Sequence, residues 1–151
     1  MRYILLAGVL VACSVLSAAP IPKEKGKPVK DDDAIQGMWR VEKYEGTDGP
    51  PPDEVAKARI VFGDGKVTTL MAGAPEDNPL PYTLDPTAKP KAIDFTEKAG
   101  VLAGIYELDG DTLRLCMAKG TGMARPTEMK AVGKEVAFMI LKRVDDEKKG
   151  K

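Results

Sequence analysis

Apolar and polar residues alternate most regularly over residues 103–117, A-G-I-Y-E-L-D-G-D-T-L-R-L-C-M. A period of two sustained over this length marks strands with one buried face. Asp109-Gly110 interrupts it, and Asp-Gly is the dipeptide a two-residue type I′ turn favours, because both central residues need positive φ. The pattern predicts a β-hairpin with Leu108 opposite Asp111, Tyr106 opposite Leu113, Gly104 opposite Leu115 and Leu102 opposite Met117. Opposed residues share a sheet face. One face then carries Leu102, Gly104, Tyr106, Leu113, Leu115 and Met117, and the other Ile105, Glu107, Thr112, Arg114 and Cys116.

Shorter runs of the same kind lie on both sides. Residues 35–44 alternate as a strand holding the only Trp, Trp39. Residues 53–58 make one short helical turn with acidic residues at its positive end. Strands at 59–62 and 66–71 flank Gly63-Asp64-Gly65, a second hairpin signal. Residues 82–84 end at the turn starter Asp85-Pro86, and 92–95, 127–131 and 136–143 complete the series. The chain therefore reads as all-β, an antiparallel meander or barrel of about eight or nine strands. No crossover helices are present for a parallel βαβ arrangement, and closing the sheet would hide its edges. The expected inward side chains are Trp39, Phe62, Tyr82, Ile93, Phe95, Leu102, Tyr106, Leu113, Leu115, Met117, Phe138 and Ile140, with Gly104 leaving space among them.

The N-terminus changes the setting. Met1-Arg2 precedes an almost unbroken apolar and small-residue run to Ala19, the anatomy of a secretory signal peptide over residues 1–19. Ser17-Ala18-Ala19 fits a small-x-small cleavage site. Leu10-Val11-Ala12-Cys13 resembles a bacterial lipobox, which would instead make 1–12 a lipoprotein leader and Cys13 a lipidated residue. Both routes place the domain outside the cytoplasm, in the periplasm, secreted, or lipid-anchored. Membrane contact is then expected only through the signal segment or a lipid on Cys13. Residues 20–33, rich in Pro, Lys and Asp, read as a flexible linker. The domain spans 34–144, and 145–151 is a charged tail.

Charge and chemistry narrow the function classes. Lys and Arg number 23 against 23 Asp and Glu, and no basic stripe is interleaved with aromatics, so nucleic acid is not an expected partner. There is no His, and Cys116 has no mature partner, which removes the usual nucleophile–base systems and any thiolate zinc site. Asp31-Asp32-Asp33 lacks calcium-ligand spacing and reads as a solvated charge run. Gly63-Asp64-Gly65 and Gly120-Thr121-Gly122 lack a following helix and read as turns rather than phosphate cradles. Arg125 and Glu128, flanking Pro126, are placed to pair. No catalytic constellation, metal site or cofactor is expected, and the chain does not read as an enzyme.

Two further features carry a resemblance. Gly37-Met38-Trp39 is similar to the Gly-x-Trp that opens the first strand of lipocalins, and Arg143 sits where those proteins set an Arg across the indole. Residues 35–39, 84–94, 104–113 and 125–128 further resemble an uncharacterised, paralogue-rich lipocalin-like domain family of planctomycete bacteria. The resemblance spans about residues 34–143 and departs over residues 71–81. It implies an exported lipocalin-like barrel with Gly37, Trp39 and Arg143 as its barrel-end signature, and no established activity. A barrel of this size either fills itself or holds one small ligand. Candidate ligand-lining residues are Tyr82, Phe95, Leu102, Gly104, Tyr106, Leu113, Leu115 and Met117. The expected function is binding of a small apolar or amphipathic ligand. The alternative is a structural or protein-interaction domain of the cell envelope with a filled core.

Overall fold

The computed structural model describes residues 30–71, 74–75 and 78–144. The leader, Cys13 and the charged tail lie outside them. The elements in chain order are α1 (Asp31–Ala34), β1 (Gly37–Glu45), α2 (Pro52–Lys57), β2 (Arg59–Gly63), β3 (Lys66–Met71), β4 (Ala74–Pro75), β5 (Leu80–Asp85), β6 (Ala92–Glu97), β7 (Gly100–Asp109), β8 (Thr112–Ala118) and β9 (Val136–Arg143). All strand pairings are antiparallel. Each long strand pairs with its successor, β3 passes to β5, and β9 returns to β1. The result is an eight-stranded up-and-down lipocalin-like barrel, with the two-residue β4 appended to β3. Closure leaves the eight ring strands no free edge.

Alternation sets the inner wall. Val67, Thr69 and Met71 face inward on β3, opposite Phe62, Ile60 and Ala58 of the β2 side, and Tyr82 and Phe95 are cross-strand partners. On β1 the register shifts between Val41 and Lys43. This bulge inserts Glu42 as an extra residue, so Trp39, Val41 and Tyr44 all turn inward while Lys43 stays outside. Strict alternation from Trp39 would have buried the lysine.

Five expectations are corrected. The β7–β8 turn is Gly110-Asp111, not Asp109-Gly110, so Leu108 pairs with Leu113, Tyr106 with Leu115 and Gly104 with Met117. Gly110 has φ +55° while Asp111 does not take positive φ, the pattern of a type II′ turn with Gly first. This register sets two leucines opposite each other and frees the Asp111 side chain to accept from Arg143 Nε at 3.2 Å. Partners shift by two positions, so the faces survive. The type I′ turn occurs instead in the β2–β3 hairpin, at Asp64 (φ +51°) and Gly65 (φ +71°).

On β9, Phe138 and Ile140 point outward. They join Ile105 and Cys116 in a second apolar cluster covered by Met129, Ala131 and Val136, while Met139 and Leu141 face the barrel core. Residues 127–131 form no strand; they wrap over this cluster. Arg125 does not pair with Glu128. It donates to the Ile93 and Gly104 carbonyls at 3.2 and 2.7 Å and to Asp94 at 3.0 Å, pinning the wrap to the outside of β6 and β7, and Glu128 pairs with Lys130. Finally, order begins before residue 34. Asp31 to Asp33 form α1, and Asp31 is tied to the barrel.

Candidate functional site: an apolar cavity at the open end

The two ends of the barrel are built differently. At one end Ile35, Trp39, Leu113 and Leu141 are wholly buried and fill the interior. The indole Nε1 donates to the Ile35 carbonyl at 2.8 Å, which satisfies the only polar atom of the plug. Arg143, the cross-strand partner of Trp39, holds its guanidinium 4.3 Å from the ring centroid, a cation–π distance. Its remaining N–H groups donate to the Gln36 carbonyl at 2.7 Å and the Ala34 carbonyl at 2.5 Å. Gly37 takes φ +112°, and a Cβ there would stand 3.1 Å from the same guanidinium. Position 37 therefore admits glycine for two reasons, conformation and space.

A polar clamp sits beside the plug. Tyr106 is fully buried, and its hydroxyl donates to Asp31 at 2.7 Å; Lys91 Nζ reaches the same carboxylate oxygen at 2.7 Å. Burial works to raise the Asp31 carboxyl, but the bonds from Lys91 and Tyr106 and the lysine charge outweigh it and hold the carboxyl below its usual range. Burial and then the bond to Asp31 push the Tyr106 phenol far up, keeping it a neutral donor. Gln36 links α1 to the barrel again, donating to the Tyr82 hydroxyl at 3.0 Å.

At the other end the interior is open. A cavity of about 380 Å³ lies between the ends of β1, β2, β3, β5, β6, β7, β8 and β9 and under α2. Its wall is formed by Val41, Tyr44, Pro50, Val55, Ala58, Ile60, Phe62, Val67, Thr69, Met71, Leu80, Phe95, Leu102, Leu115, Met117 and Met139. None of these is charged, and only Tyr44 and Thr69 bring side-chain oxygens. Phe62 forms the floor, held edge-to-face against Tyr82 with centroids 5.1 Å apart. At the rim a Cβ on Gly49 would collide with the Tyr44 ring, so the loop of residues 46–50 packs directly on that ring. The rim loops are tied together. Thr47 Oγ1 donates to the Gly133 carbonyl at 3.0 Å, and Lys119 Nζ donates to the Thr47 carbonyl.

Of the ligand-lining candidates, Phe95, Leu102, Leu115 and Met117 stand on this wall. Tyr82, Tyr106 and Leu113 are instead buried in the core toward the plug. Gly104 leaves no spare volume, since a Cβ there would meet the Cys116 carbonyl at 2.9 Å and Ile93 Cγ2 at 3.2 Å. Its missing side chain lets neighbouring strands and side chains close up. The wall residues missed in sequence come from β1, α2, β2, β3, β5 and β9, and include Val67, Thr69 and Met71 of β3 together with Tyr44 and Met139. The alternation of Val67, Thr69 and Met71 was a usable signal; the bulge that turns Tyr44 inward was not.

Cys116 is buried, donates its thiol to the Lys130 carbonyl at 3.3 Å, and has its pKa raised by burial against that bond. It is a packing residue of the outer cluster. Among the described residues no three His, Cys, Asp or Glu side chains gather in a metal-binding group, and no helix is long and apolar enough to cross a membrane. In comparisons with known proteins, the chain matches no family model, no curated protein and no solved structure.

Proposed function

We propose that this chain is an exported binding protein of the lipocalin-like planctomycete type, holding one small apolar or amphipathic ligand outside the cytoplasm. The cavity carries the reading. Its volume of about 380 Å³ and its uncharged wall match the size and chemistry of small-molecule sites, which are concave and mostly apolar. The same space speaks against the filled-core alternative of an envelope interaction domain. The plug at the opposite end supports the reading further, because it makes the cavity a blind pocket rather than a channel.

The test is native mass spectrometry of the protein purified from its own cell envelope without detergent stripping. A discrete additional mass that disappears on denaturation is expected. A bare polypeptide mass that also stays bare after incubation with extracted envelope lipids would overturn the proposal.

A further inference from the structure

The make-up of the cavity wall narrows the ligand class. Resting on the binding role proposed above, we infer that the pocket selects an uncharged, single-chain aliphatic molecule, of the medium-chain alcohol or ester kind, over fatty-acid anions and rigid polycycles.

Three observations carry this. First, among the described residues no Lys or Arg stands on the wall, and its side-chain oxygens are the Tyr44 hydroxyl and the Thr69 hydroxyl. A carboxylate drawn inside would lose its water with no cation to receive it, whereas a hydroxyl or ester oxygen needs only one such neutral partner. Second, three methionines, Met71, Met117 and Met139, share the wall with leucines. Unbranched, many-rotor thioethers reshape around a flexible chain. A flat polycycle gains most from stacking on an aromatic face, and the floor ring Phe62 is already engaged edge-to-face at 88° by Tyr82. Third, at roughly 30 Å³ for each water-sized group, about 380 Å³ accommodates about a dozen heavy atoms, the size of one chain and not two.

The test is isothermal titration of the intact domain with 1-octanol and 1-decanol, with octanoate and decanoate, and with pyrene. At neutral pH the alcohols should bind with Kd falling roughly fourfold per methylene. Decanol should bind at least about tenfold more tightly than decanoate, the cost of the unpaired charge. Acidification below the carboxylic acid's own pKa should close that gap. Thr69→Arg, which sets a cation on the wall, should reverse the preference toward decanoate. If that variant does not fold, the pH series on the unaltered protein still decides. Decanoate binding as tightly as decanol at neutral pH, or pyrene outcompeting decanol, overturns the inference while leaving the binding role standing. Absence of heat with all three ligand types at two temperatures about 20 °C apart, where the heat-capacity change of apolar burial forces a non-zero enthalpy at one of them, overturns the binding role itself.

Discussion

The plugged and open ends of this barrel use the same eight strands to opposite ends. At the plug, large side chains meet in a closed set whose polar atoms are all satisfied: Trp39 by the Ile35 carbonyl, and Arg143 by two carbonyls, Asp111 and the indole face. At the mouth, the wall positions carry smaller or more flexible side chains, such as Val67, Thr69, Met71 and Met139, and they leave about 380 Å³ unfilled. Packing energy is thus concentrated at one pole, and the other is relieved of that duty. On the binding role proposed above, this division suits function, because regions that admit ligands are drawn from the less stable parts of a fold.

Substitutions at the two poles should therefore differ sharply in cost. Trp39→Ala should destabilise the domain by about 3–5 kcal/mol, read as a lowered urea midpoint; an unchanged midpoint would remove the plug from its structural role. Arg143→Met keeps much of the bulk but strips charged donors from the Ala34 and Gln36 carbonyls. It should cost about 2–3 kcal/mol by the same measurement. Asp31→Asn should cost about 1–2 kcal/mol at neutral pH by weakening the bonds to Lys91 and Tyr106. Thr69→Val, on the cavity wall, should change stability by less than about 1 kcal/mol.

Asp31 also adds a pH dependence to the contrast. Its carboxyl is held below the ordinary value of 3.8 in the folded chain, so the unfolded state takes up protons first. The stabilisation is complete above the ordinary carboxylate range and falls away as the pH drops through the lowered folded pKa. Urea midpoints measured from pH 7 down to about pH 2 should therefore decline less steeply in Asp31→Asn than in the parent. Equal slopes would mean that the clamp contributes nothing to acid sensitivity.

Much of the architecture was legible because period-two patterning is a direct image of a pleated sheet with one wet face. It served for β2, β3, β5, β6, β7 and β8. It failed where the physics is not binary. The run of residues 136–141 is apolar on both faces, since the outer one is covered by the wrap of Met129 and Ala131, and so Phe138 and Ile140 were assigned to the wrong side. The bulge at Glu42 breaks the period without leaving a Gly or Pro to mark it. The Asp109-Gly110-Asp111 tripeptide fits either of two tight turns, and the observed one sets Leu108 opposite Leu113 and lets Asp111 meet Arg143, 32 residues further on. Asp31 looked like solvent-facing charge because its partners, Lys91 and Tyr106, lie 60 and 75 residues away. At the candidate site, four of the eight lining candidates stand on the wall, Tyr82, Tyr106 and Leu113 lie toward the plug, and Gly104 only lets its neighbours close up, because alternation tells inside from outside but not how far along the barrel axis a residue sits.

The pairing of Trp39 with Arg143 has a practical consequence. The chain arrives at the barrel through α1 and leaves it at Val144, whose amide donates to the Met38 carbonyl at 2.8 Å, so arrival and departure share one pole. A linkage to a surface, bead or fusion partner made through either flank therefore holds the molecule by its sealed base with the mouth turned outward. An immobilised preparation should titrate with ligand as the free protein does, and a bulky fusion should leave uptake unimpeded.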